Sequence, residues 1–462
     1  MMRIHKSVAI ATMVSISIGT ICTDVDNLAH AADGFNVEGT AVGQSLEDFY
    51  AAAIEFSPEL RIAKENLNVG RAREEQAQGQ LQPQISANAN LTDNSRNSFS
   101  QFGQKIEEDF VGERYSLNFQ QVLFNWQAFS ARRRAAQIEN QLEAEYFFEL
   151  SRLMTDVAGR YLNVLIAQDA LITVAAELQA ISSQRDQIQS LYDLQLAQIT
   201  DLRQAEASLI AVQADQLKLQ SELELAQEAL RAMTGIEVGD IYSLPDDATL
   251  PNAQRNLQAW LSMADRNNKR LQARRYALEA AREGISESQG ASMPRVNFFA
   301  TQQESNVGFD NRFLGDTDNT FIGIDVSIPI YAGGANRARE NEARAQRNIA
   351  ENELRRSELE ARANVRSAFL QVQSSTLLTE AAKRLVESTR LFAEAAQEGF
   401  ALGTVTNVDV LNALRDRFQA ERELQRTRYN QINQLLLLKL EAGTLNSGDI
   451  LEISRLMVAP AP

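Results

Sequence analysis

The chain has 462 residues, a formal net charge of -16, two histidines and one cysteine. So acidic a chain lacks the clustered lysine and arginine that contact phosphates, which excludes nucleic acid as a partner. Its histidines and its cysteine, His5, Cys22 and His30, all lie within the first 31 residues.

Residues 1–31 are typical of a secretory signal peptide. Two basic residues, Arg3 and Lys6, precede an apolar run that ends at Ile21, and Ala29 to Ala31 form a small-x-small cleavage pattern. The bulky Ile21 stands directly before Cys22, where a lipoprotein signal requires a small residue, so we expect a non-lipidated protein. Cleavage removes every histidine and the cysteine, which excludes disulfides, thiolate or Ser-His-Asp catalysis and the usual zinc sites. We therefore predict no cofactor and no metal site.

No uninterrupted apolar run of about 18 residues follows the signal, so the sequence predicts no transmembrane helix. Any insertion into a membrane would then require a β-barrel.

The remainder of the chain is an internal duplication. The helical pattern from Leu46 is repeated from Leu257, and the prolines that follow the two patterns, Pro83 and Pro294, are 211 residues apart. We predict a first repeat over 44–245, a second over 250–443 and a C-terminal tail over 444–462. Each repeat is predicted as a helix, two strands, a very long helix, an interruption and a further long helix.

The strand segments alternate apolar and polar residues, which predicts a sheet with one apolar and one polar face. Ile85 to Leu91 shows the alternation in the first repeat, and Ile322 to Ile328 shows it in the second. We place strands at about 84–95, 113–124, 294–307 and 319–331. Five residues are predicted at strand-helix transitions: Pro83, Pro294, Pro329, Gly333 and Gly334. A soluble sheet packed on helices fits the strands alone equally well.

Four strands cannot close a barrel, and lipid does not tolerate open sheet edges. If the strands insert into a membrane, several chains must therefore share one barrel.

The long helices form hairpins. A heptad pattern of small and apolar residues runs from Ala205 to Met233, with one polar break at Gln216. We predict the hairpin tips at about 192–201 and 400–409. Glycine at Gly403 suits a helix end, and Thr404 and Thr406 suit the next helix start. Gln195 stands where the second repeat has Gly403, so the first tip need not share its backbone shape.

At this point the sequence resembles the TolC family of outer-membrane efflux and secretion channels over about residues 44–453. The resemblance rests on the duplication, on Pro-Ile-Tyr-Ala-Gly-Gly after the last strand, on Ala-Gly-Thr-Leu-Asn-Ser-Gly-Asp-Ile-Leu near the end, and on the motif around the second tip. That motif consists of Phe400, Gly403, Thr406, Asp409, Val410, Leu411 and Ala413.

The resemblance implies an α+β membrane protein of the Gram-negative outer membrane. It would be a homotrimer with a 12-stranded β-barrel in outer-membrane lipid, continuous with a 12-helix α-barrel across the periplasm. The tips would dock a periplasmic adaptor and an inner-membrane RND or ABC transporter. The implied docking residues are Tyr192, Gln195, Phe400, Gly403, Thr404, Val405 and Thr406.

The resemblance also implies a gate at the periplasmic entrance. Asp409 matches the first of two aspartates that narrow the entrance in the family, and Asn412 replaces the second. Three Asp409 carboxylates at one constriction would attract cations. Thr200 and Asp201 match residues that hold the entrance shut by pairing with an aromatic hydroxyl and an arginine. Phe400 and Val405 occupy those partner positions, which puts the usual pairing in doubt.

Two other functions remain open from the residues. One is a soluble periplasmic coiled-coil adaptor or scaffold, because the heptads alone fit a coiled coil. The other is an enzyme with paired carboxylates, as in glycoside hydrolysis. The carboxylates lie mostly on polar helix faces, which favours a passive channel without catalysis.

Overall fold

The computed structural model describes residues 44–99, 102–308 and 312–459, so the predicted signal peptide lies outside the described residues. The elements of the first repeat are α1 (Leu46–Phe56), α2 (Pro58–Gly79), β1 (Gln84–Phe99), β2 (Lys105–Asn125), α3 (Trp126–Asp193) and α4 (Ile199–Thr234). Those of the second are α5 (Leu257–Asn267), α6 (Lys269–Gly290), β3 (Arg295–Val307), β4 (Phe313–Ser327), α7 (Ala335–Ala401) and α8 (Asn407–Glu441), followed by α9 (Ser447–Arg455).

The two repeats share a break in their first helix that the sequence pattern does not indicate. The first predicted helix of each is divided by a capping residue. Ser57 accepts a hydrogen bond from the Leu60 N–H at 3.3 Å, and Asn268 accepts one from the Leu271 N–H at 3.1 Å. Each cap satisfies a free N–H at the start of the second helix, so the chain bends there without leaving that donor unpaired.

The strands form one antiparallel sheet in the order β1-β2-β3-β4. The central pair, β2 and β3, joins the two repeats, with Gln120 opposite Phe299. The edges of the sheet are therefore β1 on one side and β4 on the other, and within the described part of the chain neither edge has a further partner strand.

The strand bounds differ from the prediction at several ends. β1 reaches Phe99, and β2 begins at Lys105 rather than at 113. From Thr92 to Ser98 both faces of β1 are polar, so alternation gives no signal there, although the β1–β2 pairing continues. β3 begins at Arg295 and β4 spans 313–327 instead of 319–331. Pro294 and Pro329 lie outside the strands because proline donates no ladder hydrogen bond.

One face of the sheet is apolar and exposed. Ile85, Phe119, Ala300 and Ile322 form a continuous row across the four strands. Ile85 and Ile322 are each 69% exposed. A soluble sheet would cover such a face with helices, whereas no described element covers this one, as expected for a surface in contact with lipid.

The glycines and prolines predicted at transitions lie between elements. Pro83 directly precedes β1. Gly333 and Gly334 precede α7 with φ of 61° and 84°, a left-handed conformation that glycine adopts without steric cost. Gly334 is the N-cap residue of α7.

The largest apolar cluster lies where α1, α3, α4, α8 and α9 meet. The rings of Phe49 and Tyr161 pack edge to face at 5.7 Å, and Tyr429 is fully buried beside them. Ile450 and Ile453 of α9 belong to the same cluster, so the segment predicted as a tail contains a packed helix. A second cluster lies near the hairpin tips and contains Ile181, Val410, Leu411 and Phe418.

The sequence predicted no transmembrane helix after the signal, and one described helix bears on that expectation. Within the described residues α3 alone contains an 18-residue window, of mean hydropathy 1.5, that is long and apolar enough to cross a membrane. The prediction required an uninterrupted apolar run, whereas this window includes polar residues. Of that window 33% is buried against the rest of the structure, so helix packing accounts for part of its apolar content.

Candidate functional site at the hairpin tips

The second tip is a five-residue turn between α7 and α8. Gly403 has φ of 75°, and its N–H donates to the Phe400 carbonyl at 3.0 Å. The Thr404 N–H reaches back to the Gly399 carbonyl at 2.9 Å. These bonds satisfy the last carbonyls of α7 and define the Schellman motif, in which a left-handed residue ends a helix.

The first tip has the same backbone shape, a point that the sequence left open. Gln195 takes the position of Gly403 with φ of 60°, and its N–H donates to the Tyr192 carbonyl at 2.8 Å. The Leu196 N–H donates to the Leu191 carbonyl at 2.7 Å. Because a side chain disfavours this conformation by roughly 1–2 kcal/mol, the turn is held against the preference of its residue.

Asp409 caps the start of α8. Its Oδ2 accepts hydrogen bonds from the Thr406 hydroxyl at 2.6 Å and from the Thr406 N–H at 3.3 Å, while the Asp409 N–H donates to Thr406 Oγ1 at 3.3 Å. This reciprocal arrangement is a capping box, and the helix dipole favours the carboxylate there. Asp409 nevertheless remains exposed. A capping role and a role at a constriction are therefore compatible.

Asn412 lies one turn after Asp409 and is also exposed. Its Oδ1 accepts a hydrogen bond from Arg415 Nη1 at 3.5 Å. Residues three and four apart share one face of a helix, so this face carries a carboxylate, an amide and a guanidinium. Arg415 was not among the gate residues predicted from the sequence.

Asp201 and Thr200 interact with their own turn. Asp201 Oδ2 accepts from the Gln198 N–H at 3.3 Å, and the Thr200 hydroxyl donates to Gln198 Oε1 at 3.3 Å. Phe400 and Val405 instead pack on the apolar cluster near the tips. The structure thus places these four side chains without the aromatic-arginine type of pairing between the two hairpins, which the residues at 400 and 405 had already put in doubt.

Asn407 joins the hairpins in another way. Its Oδ1 accepts a hydrogen bond from Gln184 Nε2 at 3.0 Å, and its Nδ2 donates to the Asp201 carbonyl at 3.2 Å. Asn407 is 3% exposed and Gln184 is 5% exposed. We call Asn407, Gln184 and the Asp201 carbonyl the tip triad. Sequence patterns gave no signal for it, because the two side chains are 223 residues apart.

An ion pair joins the same helices farther from the tips. Arg422 Nη1 of α8 contacts Glu177 Oε2 of α3 at 2.6 Å, with the Glu177 side chain 5% exposed. Burying a carboxylate without a charged partner is costly, so this ion pair favours the observed position of α8 against α3.

Three leucines extend the tip surface. Leu194 and Leu196 of the first tip and Leu402 of the second are 68%, 73% and 80% exposed. Exposed apolar side chains clustered at a turn are a feature of protein interaction surfaces. Among the described residues, no group of three His, Cys, Asp or Glu side chains is placed to hold a metal ion.

Comparisons with known proteins agree with this architecture. The sequence model of the outer membrane efflux protein family matches residues 49–236 and 260–444, one segment in each repeat. Outer membrane protein TolC of Vibrio cholerae is 27% identical over 415 residues, which cover 89% of this chain and 93% of that protein. The alkaline protease secretion protein AprF of Pseudomonas aeruginosa is 24% identical over 420 residues, covering 89% and 86%.

Solved structures share the fold at lower identity. The outer membrane protein VceC of Vibrio cholerae matches with a TM-score of 0.74 at 21% identity, over 86% of this chain and 96% of that one. The Campylobacter jejuni CmeC outer membrane channel matches with a TM-score of 0.75 at 15% identity, over 94% and 96%. On the strength of the family match in both repeats, this chain belongs to the outer membrane efflux protein family.

Proposed function

We propose that three copies of this protein form one continuous exit duct, gated at its periplasmic end by the hairpin tips. Family membership places the chain in the outer membrane as the exit duct of an efflux or type I secretion system. The alternative of a soluble periplasmic adaptor is wrong. The relatives are transport proteins, which implies a role without catalysis. The exposed apolar face of the sheet is the observation that carries the membrane assignment.

The sheet edges support a closed ring. β1 and β4 are different strands, so an edge of one copy pairs with the other edge of the next copy, a head-to-tail contact that generates rings. Lipid requires that ring to close completely. Four strands per copy give the 12-stranded barrel of the proposed trimer.

The helical hairpins carry a matching pair of surfaces. On α4, Ile210, Leu217 and Leu225 are exposed at spacings of seven and eight residues. On α7, the exposed apolar residues of the half nearest the tip include Leu370, Leu377, Leu385 and Phe392, at spacings of seven and eight residues. We call these the α4 seam and the α7 seam. They are different surfaces, so they too suit a head-to-tail contact, and pairing them would give the 12-helix tunnel.

The entrance gate is proposed at the second tip. Three copies of Asp409 would converge on the axis, with Asn412 one turn farther along the same face. The Arg415 guanidinium beside Asn412 reduces the negative charge there. In place of the aromatic-arginine pairing, we propose that the tip triad holds the second hairpin against Thr200 and Asp201 of the first. Opening the entrance would require these buried hydrogen bonds to break.

The same tips are the proposed docking surface for a periplasmic adaptor. Leu194, Leu196 and Leu402 extend the predicted docking residues with apolar area that a partner would cover. An inner-membrane RND or ABC transporter would supply the exported molecule and the energy, because the duct itself is passive.

Single-channel conductance in a planar bilayer tests the duct and the gate together. The wild type should give a small cation-selective conductance, and Asp409→Ala should increase the conductance or reduce the selectivity. Asp193→Ala is the matched control, since it removes one exposed carboxylate from the first tip. A channel that responds to neither change would disprove the gate and keep the duct. The absence of any channel from folded protein would disprove the duct.

A further inference from the structure

The polar face of the sheet contains an aromatic and acidic site. In the part of this face nearest the helices, most side chains are neutral amides and hydroxyls. They are Gln84, Ser86, Asn88, Asn90, Ser116, Asn118, Gln120, Asn297, Thr301, Gln303 and Asn319. Six side chains on the same face differ: Arg114 and Val122 on β2, Arg295 and Phe299 on β3, and Phe321 and Asp325 on β4. The last three, Phe299, Phe321 and Asp325, form the site.

The pairing register brings these three side chains together. Phe299 lies opposite Gly323, with Phe321 two residues to one side of that glycine and Asp325 two residues to the other. Side chains two residues apart on a strand share a face about 7 Å apart. The Phe299 ring covers Gly323 so closely that an added Cβ would come within 2.9 Å of the ring Cζ. The ring thus lies between Phe321 and Asp325.

Asp325 has an unneutralised charge. It is exposed, and among the described residues it has no hydrogen bond or ion pair. Arg295 is the nearby base on this face, opposite Ser327, and its Nη2 donates to Gln127 Oε1 at 3.0 Å. Phe321 is 48% exposed and lies on the polar face, although most apolar residues of the sheet at this level lie on the opposite face. Packing explains the Phe299 ring over glycine, but it explains neither Phe321 nor Asp325.

We propose that Phe299, Phe321 and Asp325 bind organic cations that carry an aromatic ring, during passage through the duct. The inference rests on the proposed function, because this face lines the lumen only in a closed ring. Aromatic faces attract cations and stack on flat rings, and the carboxylate adds charge complementarity. The β1 strand of the neighbouring copy would lie beside β4, and its residues on this face from Gln84 to Asn94 are all neutral. The neighbour therefore adds no competing charge.

Block of single-channel current tests the site. The probe is benzyltriethylammonium, compared with tetraethylammonium, which has the charge without the ring, and with benzenesulfonate, which has the ring with the opposite charge. All variants are made in the Asp409→Ala background, so that cations held at the entrance do not contribute. We expect benzyltriethylammonium to block at roughly fivefold lower concentration than tetraethylammonium, and benzenesulfonate to block least.

Two variants and a control separate the outcomes. Phe321→Leu and Asp325→Asn should each raise the half-blocking concentration of benzyltriethylammonium roughly fivefold. Phe298→Leu alters the neighbouring position on the lipid-facing side and should leave the block unchanged. Equal block in all variants, or equal block by the two ammonium ions, would overturn the inference while the duct remains. A folded protein without conductance would contradict the proposed duct itself.

Discussion

At the scale of single residues, the tip triad carries the contact between the two hairpins. Asn407→Leu would leave Gln184 and the Asp201 carbonyl without partners in a buried place, which costs about 1–3 kcal/mol. We expect a lower apparent melting temperature and more frequent channel openings. Circular dichroism measures the first effect, and single-channel recording measures the second.

The double variant Asn407→Leu with Gln184→Leu provides the control. Replacing both partners by apolar side chains removes the unpaired donor on Gln184. The double variant should therefore lose less stability than the sum of the losses in the two single variants. Val408→Ala changes an exposed neighbour and should alter neither property. Strict additivity of the two leucine substitutions would show that Asn407 and Gln184 are not coupled.

Asp169, which lies outside the tips, makes a pH-dependent contribution to the stability of the fold. Burial raises the pKa of Asp169, while the hydrogen bond from the Tyr429 hydroxyl to its Oδ2, at 2.7 Å, acts in the opposite direction. When folding raises the pKa of an acid, its contribution to stability is fully present below the pKa of the unfolded chain, about 4. That contribution is lost as the pH rises through the pKa of the folded protein. Asp169→Asn, which stays neutral, should therefore raise the melting temperature more at pH 7 than at pH 4.

The exposed Asp247→Asn is the comparison for Asp169→Asn, with both melting temperatures measured by circular dichroism at the two pH values. We expect its effect to be the same at both. A pH-independent effect of Asp169→Asn would contradict the assignment.

At the scale of elements, the residues at the left-handed positions of the two tips, Gln195 and Gly403, can be exchanged. Gln195→Gly should stabilise the first hairpin by up to about 1 kcal/mol, because it relieves the left-handed backbone cost of a side chain. Gly403→Gln should destabilise the second hairpin by about 1–2 kcal/mol for the same reason. Thermal unfolding followed by circular dichroism measures both changes. Shifts of the same sign in the two variants would refute the explanation.

Element order could be predicted from sequence because periodicity is local. Alternation predicted where the strands lie, and it failed beyond Ser95, where β1 continues to Ser98 with both faces polar. Proline has no N–H to donate to the strand ladder, which explains why β4 ends at Ser327, before Pro329. The shape of the first tip could not be predicted, since Gln195 adopts an angle that its type disfavours. Asn407 and Gln184 were missed because only tertiary packing brings α3 and α8 together.

At the scale of the whole molecule, the α7 seam offers a test of assembly. Leu377 lies in the middle of this seam and is 70% exposed in the single chain. If a neighbouring copy covers it, Leu377→Glu would bury an unpaired charge at each of three interfaces, which costs several kcal/mol per site. The trimer should then fall apart into single chains in detergent, while each chain keeps its helices. Native mass spectrometry of the detergent-extracted protein measures the stoichiometry directly.

Gln371→Glu is the matched control, because it adds the same charge to α7 at an exposed polar position six residues away. It should leave the trimer intact. Trimers of Leu377→Glu as abundant as those of the control would mean that the α7 seam is not an interface. The head-to-tail contact between copies would then be formed by the sheet edges alone. Single chains from the wild type would contradict the ring itself, since a four-stranded sheet with two open edges cannot persist in lipid.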